Sequence, residues 1–399
     1  MDAQALQQEA APETRRAAHR AAGGVVTVLV PAHNESAGIT ETLVSLSNQT
    51  RRPDRVIVVA DNCSDDTEEL ALAQGVEVLR TSGNKDKKAG ALNYALSTLL
   101  PDADPEDLIL VQDADSQLAL DFIENATANL LKDELLGAVG GVFSGGPGGG
   151  FVGHLQRNEY ARYARDVKRL HGKCLVVTGT AALFRVKTLR DVVAARLEGT
   201  LPPGNGKGGV YDTSVLTEDN ELSFALLTLG YRIASPSNCT LVTEVMPTWR
   251  ELWAQRLRWK RGAVENCVQY GWTKVTRAYW GRQFLSMIGV VVTIAYFGSI
   301  IFALATGMGL NLQPFWIAVT GIFVVERIVT VRFRGWRYML LAATMYETVI
   351  DVFLRPCTPR PTWMPHSTAR KFGSPPCTTT QQEPQPELSQ EPRAPERSR

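Results

Sequence analysis

The sequence predicts an α/β protein: a mainly parallel sheet with helices on both faces, followed by a C-terminal transmembrane helical hairpin and an interfacial helix. Two observations carry this. Short, almost wholly apolar segments alternate with helical ones over the first half of the chain. Later, residues 283–325 run for 43 positions without one charge.

Residues 1–24, rich in Ala, Gln and Arg, have no long apolar core and read as a disordered cytosolic leader rather than a secretory signal. Residues 25–30 (VVTVLV) and 55–60 (RVIVVA) suit strands buried on both faces. Residues 36–49 between them read as a helix. Asp65, with Glu68 three positions on, suits a cap for the next helix. A short strand at 76–79, a helix at 89–100 and a strand at 108–112 follow. Strands separated by helices imply right-handed crossovers and a parallel sheet. Ligands of such sheets bind beyond the carboxyl ends of the strands.

The Gly-rich runs 145–150 (GGPGGG) and 202–209 (PPGNGKGG) read as flexible connections, the first linking a strand to a helix; the second also has the composition of a mobile lid. A helix is expected from about 248 to 270. A spanning helix needs about 20 apolar residues, so 43 make two, with Gly307, Gly309, Asn311 and Pro314 at the turn. Arg277 and Arg282 precede the pair, and Arg327, Arg332, Arg334 and Arg337 follow it, which puts both ends on the cytoplasmic side. Residues 338–354 carry Glu347 and Asp351 four apart on one face. They suit an interfacial helix better than a third span. Residues 355–399 hold ten of the 21 prolines and are expected to be disordered. The expected organisation is a leader (1–24), a catalytic domain (25–247), amphipathic interfacial helices (248–282), two membrane helices (283–333), the 338–354 segment and the tail.

Composition excludes several classes. Lys plus Arg is 42 against 41 Asp plus Glu, without the basic excess of a nucleic-acid binder. Six scattered cysteines, with no C-x-x-C pair, form neither a disulfide framework nor a zinc site.

The chemistry concentrates after the predicted strands. Pro31, Ala32, His33, Asn34 and Glu35 follow the first strand, Asp61 to Asp66 the second, and Asp113-Ala114-Asp115 the strand at 108–112. Helix capping accounts for Ser36 and Asp65 but not for Asp61, Asp113 or Asp115. Asp-x-Asp at a strand end is a hard-oxygen pair suited to Mg²⁺ held jointly with substrate phosphates. Lys88, beside a helix start, suits a phosphate. Glu218 and Asp219 open a helix, where a carboxylate serves equally as cap or base. Gln255, Arg258 and Trp259, spaced i, i+3 and i+4, share a helix face.

Taken in order, PAHNE (31–35), DNCSDDT (61–67), KAGALNYAL (88–96), DAD (113–115), TGTAALF (178–184), TED (217–219) and QRLRW (255–259) resemble the membrane-bound synthases of glycosyltransferase family 2, which make cellulose, chitin, hyaluronan and poly-N-acetylglucosamine. The resemblance covers residues 25–354. It implies a GT-A fold, a nucleotide-sugar donor (UDP-linked), an inverting mechanism and a Mg²⁺ or Mn²⁺ cofactor. It assigns Pro31, His33, Glu35 and Asp61 to the nucleotide base and ribose, and Lys88 to the donor phosphates. Asp113 and Asp115 would hold the diphosphate and its metal, and Asp219 would be the general base, with Glu218 beside it in substrate binding. Gln255 and Arg258 would bind the pyrophosphate and Trp259 the acceptor. The expected partners are the donor, a saccharide or lipid-linked acceptor and membrane lipid, with the catalytic domain and tail in the cytoplasm. Two spans are few for a polymer export channel, so long-polymer secretion by one copy is not expected. The rival readings are a non-catalytic membrane scaffold and a sugar nucleotidyltransferase.

Overall fold

A computed structural model describes residues 23–307, 314–344 and 346. The leader up to residue 22, the tail and most of the second half of 338–354, with Glu347 and Asp351, lie outside the described residues.

Among the described residues, ten strands form two sheets. The first has the order β3-β2-β1-β4-β8-β6-β9. Its core is β1 (Val26–Ala32), β2 (Arg55–Asp61), β3 (Glu77–Thr81) and β4 (Leu108–Gln112), all parallel. These are the segments whose apolar runs predict strands. Val26, Val28 and Val30 point to one side of β1 with Ile39, Leu43 and Leu46 of α1 (Ile39–Ser47) and with Phe122 and Ile123 of α4 (Phe122–Leu131). Leu29, Ile57 and Val59 point to the other side. There they meet α3 (Lys87–Leu99), α6 (Val186–Leu197) and α7 (Glu218–Thr228). Helices therefore cover both faces, and the continuous apolar runs follow from that double burial.

Parallel alternation is not the whole sheet. β6 (Leu136–Gly140) and β9 (Arg232–Ala234) are parallel to each other, but β8 (Ala181–Arg185) runs antiparallel to β4 and β6, making the sheet mixed. Ala181 pairs with Gln112, so the chain enters β8 at the edge where β4 ends. After β7 (Val142–Gly145) and the long α5 (Gly150–Arg169), residues 170–180 return at that edge, and no crossover resets the direction. The second sheet is β5 (Ser116–Leu118), β10 (Thr240–Thr243) and β7.

Strand order reverses between β1 and β4, which opens a crevice at their carboxyl ends. Thr42 Oγ1 donates to the Ala114 carbonyl at 2.7 Å and pins the Asp113–Asp115 loop to α1. Asp65 works one position before the N-cap of α2 (Thr67–Ala73): its Oδ1 accepts from Thr67 N at 3.2 Å. Ser36 is not a cap, because α1 starts three residues later behind Gly38.

The 145–150 run links β7 to α5 as expected. The 202–209 run is anchored at its ends. The Arg196 guanidinium donates to Pro202 O at 2.8 Å and Val210 O at 3.1 Å, and its ion pair with Glu221 (2.6 Å) is fully buried.

α8 (Trp249–Tyr270) begins with a capping box: Thr248 and Glu251 exchange hydrogen bonds at 3.3 Å. α9 (Thr276–Ala305) and α10 (Pro314–Thr330) occupy the charge-free run, followed by a short 3₁₀ turn and α11 (Trp336–Ala343). Phe284, Leu285, Ile301 and Leu304 of α9 and Ile322 of α10 are each about two-thirds exposed. Several side chains of both helices lie outside the described set. Among the described residues, no helix is long and apolar enough to cross a membrane. The helical pair thus stands as expected, but its spanning character is not supported by those residues.

Candidate active site

The site is built on the crevice. Pro31 lies within β1, buried and opposite Val59 of β2. His33 follows, exposed, with Nδ1 2.5 Å from the Asp61 carbonyl oxygen. Asn34 adopts a left-handed φ of 57° and its Oδ1 accepts from Ser64 N at 2.8 Å. Asp61, 6% exposed at the end of β2, accepts three hydrogen bonds on Oδ1: from Thr81 Oγ1 (2.6 Å), Asn84 Nδ2 (2.9 Å) and Asn62 Nδ2 (3.1 Å).

Asp113 and Asp115 follow β4. Lys88, in the first turn of α3, donates to Asp113 Oδ1 and, at 3.1 Å, to the Gly179 carbonyl; Glu218 Oε1 lies 3.7 Å away. Burial alone would lower the Lys88 ammonium. Asp113 and Glu218 more than offset this and hold it above its ordinary value. Burial raises the Asp113 carboxyl, against the pull of Lys88. Burial also raises Asp115, against a 2.9 Å hydrogen bond from Ser116 Oγ, with Glu244 adding to the rise.

Glu35 stands over the same loop. Burial pushes its carboxyl up to about 7, and Asp115, Glu244, Asp113 and Asp65 add to the shift. The crevice thus gathers more carboxylates than Lys88 neutralises. No group of three or more His, Cys, Asp or Glu forms a ready-made metal cage among the described residues. The donor set fits a hard divalent cation bound by one or two carboxylates and completed by substrate oxygens.

Asp219 lies in the first turn of α7. Its Oδ2 accepts from Gly179 N at 3.0 Å and its Oδ1 from Asn220 N at 2.8 Å. Burial, then the neighbouring Glu218, lifts its carboxyl to about 6. One residue, Gly179, therefore donates through its N–H to Asp219 and accepts through its carbonyl from Lys88. A Cβ at Gly179 would lie 3.1 Å from Asp219 Oδ2, a tight contact to which the carboxylate would have to give way. Asp219, Glu218, Lys88 and Tyr211 line one cavity between α3, β4 and α7.

α8 packs on this segment directly. Asn266 Nδ2 donates to Thr217 O and Oγ1, both at 3.1 Å, and Gly262 leaves room for the Thr217 side chain. Trp259 lies one turn before Gly262, and Gln255 one turn before Trp259, so the stripe reaching Thr217 carries both. Arg258 and Trp259 are exposed. Arg256 is buried: it donates to Glu159 of α5 at 2.7 Å and to Gln255 Oε1 at 3.3 Å, and its guanidinium stacks 4.3 Å from the Trp259 ring.

The crevice brings together Pro31, His33, Glu35, Asp61, Lys88, Asp113, Asp115, Glu218 and Asp219, and α8 joins them through Thr217. Sequence reasoning missed Asn84 and Glu244, and gave no role to Gly179 of TGTAALF or to Arg256. Glu244 had a usable signal, an acid directly after a strand-like segment. Arg256 lies inside QRLRW but off its i, i+3, i+4 spacing.

Residues 27–193 match the family described as glycosyl transferase family 2. The chain is 26% identical over 321 residues to the probable glycosyltransferase YdaM of Bacillus subtilis (strain 168), covering 76% of this chain and 73% of that one. It is 26% identical over 285 residues to the poly-β-1,6-N-acetyl-D-glucosamine synthase of Staphylococcus aureus (strain COL), covering 68% of this chain and 64% of the synthase. The match to the synthase thus spans under two-thirds of its length. Among solved structures, the mannosyltransferase PcManGT from Pyrobaculum calidifontis, in complex with GDP-Man and Mn²⁺, superposes with a TM-score of 0.53 at 20% identity, over 81% of this chain and 86% of that one. That likeness concerns the fold. With the mixed sheet and the crevice, these matches make the chain a glycosyltransferase on a GT-A-like fold, whose residues 27–193 are similar to glycosyl transferase family 2.

Proposed function

We propose that the protein is an inverting, membrane-associated hexosyltransferase. It moves a sugar from a UDP-linked donor to a hydroxyl of a saccharide or lipid-linked acceptor. The observation that carries this is Asp219, a buried carboxylate lifted to about 6 and held by the N–H of Gly179, whose carbonyl binds Lys88. A base in that range is ionised at neutral pH yet still takes a proton.

In this reading the donor base and ribose lie along Pro31, His33 and Asp61, and the diphosphate reaches Lys88, Gln255 and Arg258. Asp219 accepts the acceptor hydroxyl proton as that oxygen attacks the anomeric carbon from the face opposite the leaving group. The nucleoside diphosphate departs, and Lys88 and Arg258 stabilise its growing charge. A divalent cation held by Asp113 and Asp115 would bind diphosphate oxygens and add to that stabilisation. Trp259 offers a flat apolar surface to an acceptor sugar ring. The GDP-Man and Mn²⁺ named for PcManGT support a nucleotide-sugar donor and a cation by analogy, while the uridine base rests on the sequence resemblance. The exposed apolar side chains of α9 and α10, flanked by arginines, support membrane association.

The test is nucleotide release by the full-length, detergent-purified protein with Mn²⁺ and a panel of UDP-, GDP- and dTDP-sugars. Release of nucleoside diphosphate from a UDP-sugar, abolished in Asp219→Asn, is expected. Pyrophosphate release, or no turnover together with no nucleotide binding, would reject the reading.

A further inference from the structure

Arg256 of α8 takes no part in the scheme above, yet it is a buried cation, 5% exposed, beside two residues that do. Its Nη2 donates to Glu159 Oε2 of α5 at 2.7 Å, and its Nη1 to Gln255 Oε1 at 3.3 Å. Its Nε is buried with no hydrogen-bond partner among the described residues. The guanidinium carbon lies 4.3 Å from the centroid of the Trp259 ring and 5.7 Å from that of Tyr160. Tyr160 is itself fixed: it is buried and meets Phe143 of β7 edge-on at 4.7 Å.

This is a poor arrangement for stability alone. A buried cation loses hydration, one of its donors goes unmet, and the counter-charge on Glu159 is about one-third exposed. An apolar side chain of similar length would fill the space without those losses. What the cation supplies is direction. An Arg and a Trp three positions apart on a helix are neighbours that can meet in several rotamers. Here Glu159 draws the planar guanidinium to one place, and the indole lies against it. Trp259 stays 38% exposed, and that remaining surface is what a sugar ring can reach. The same stripe of α8 runs on to Thr217, next to the turn that carries Asp219. A change in the plane of the indole is therefore a change in what stands before the base.

We propose that Arg256, held by Glu159, is a positioning residue for the acceptor: it sets the plane of the Trp259 ring and so keeps an acceptor hydroxyl, rather than water, in front of Asp219. It touches no substrate itself. This rests on the acceptor role given to Trp259 above. The Gln255 contact is long, and donor binding depends on it little.

The experiment follows radiolabel from the UDP-sugar that turns over in the panel above. It uses membranes of the native host, with the chromosomal copy replaced by each full-length variant and the Asp219→Asn strain as background. The quantity read is sugar transferred to lipid or polymer divided by sugar released free. Thermal melting of each purified variant checks its fold. In Arg256→Met the ratio should fall by about tenfold, the scale of one desolvated stacking contact, while UDP affinity by calorimetry stays within about threefold. Arg256→Lys keeps a charge for Glu159 but cannot also lie as a plane against the indole, and its ratio should fall alike. In a Trp259→Ala background, where the ratio is already low, Arg256→Met should change it by less than about twofold. A plain tether between α8 and α5 would be rescued by lysine, or would add its effect to that of Trp259→Ala; either result overturns the proposal. So does a loss of UDP affinity that matches the loss of transfer. If Arg256→Met does not fold, Arg256→Lys, alone and with Trp259→Ala, decides. No donor turnover by wild type rejects the donor reading above. An unchanged ratio in Trp259→Ala alone rejects the acceptor role of Trp259. Either takes this proposal with it.

Discussion

Asp219 makes its chemistry testable by pH. Its carboxyl, lifted to about 6 by burial, must be ionised to accept a proton. Turnover should therefore rise with pH up to about 6 and then level. Below that it should fall by about tenfold per unit, read as kcat against pH with saturating donor. Asp219→Asn should lower kcat by about 10²–10⁴-fold and leave nucleotide affinity within a few-fold, measured by turnover and calorimetry together. Chelation should abolish turnover and Mn²⁺ or Mg²⁺ restore it, because the carboxylates at Asp113, Asp115, Glu35 and Glu244 crowd one crevice. Full turnover in chelator would remove the cation from the scheme. Most of these acids were legible in the sequence, since each follows an apolar strand whose carboxyl end must face the crevice. The residues that hold them were not. Gly179 meets Lys88 across 91 positions, and Arg256 meets Glu159 across 97. No local pattern marks such a meeting; only the return of the chain after α5 creates it.

At the scale of elements, the four strands read from the sequence, β1 to β4, lie within about two residues of their places, because burial on both faces writes itself as an unbroken apolar run. β8 and its direction were not read. Its run (AALFR) is equally apolar whichever way it lies, and direction is set by where α5 deposits the chain. The 202–209 loop shows the opposite failure, since glycines suggest freedom that the Arg196–Glu221 pair withdraws. Glu221→Gln should destabilise the protein by about 3–5 kcal/mol, because it leaves a buried guanidinium without its counter-charge. Denaturant unfolding would measure this, and cleavage within 202–209 should quicken in limited proteolysis. A second element prediction concerns α8. Gly262→Val would drive side-chain atoms into Thr217 and push the helix off the Glu218–Asp219 turn. A loss of about 1–3 kcal/mol is expected, with a fall in kcat in the folded fraction. Unchanged stability would mean that α8 is free to shift.

For the whole molecule, the exposed apolar faces of α9 and α10 predict that the full chain sediments with membranes and resists extraction by high salt and alkali. Release by salt alone would indicate a peripheral, charge-held attachment. The helical pair was legible as composition, because 43 positions run without a charge, whereas its spanning character is not supported by the described residues. What composition could not show is how the apolar helices join the catalytic sheet, and α5 answers that. On one stripe, His154 and Asn158 meet Tyr346 and Arg334, and Arg165 meets Glu326 and Thr330. On another, Glu159 holds Arg256, and Val152 and Leu155 pack on Leu252 of α8. The described residues accordingly fall within a single compact unit. The consequence is a matter of divisibility: the polypeptide offers no clean seam for a scalpel. A fragment ending before α9 would strip α5 of one of its two partners and leave a buried-type surface in water. The enzyme should therefore be harder to cut into a well-behaved soluble catalytic piece than its sequence, with its sharp boundary near residue 283, invites one to believe.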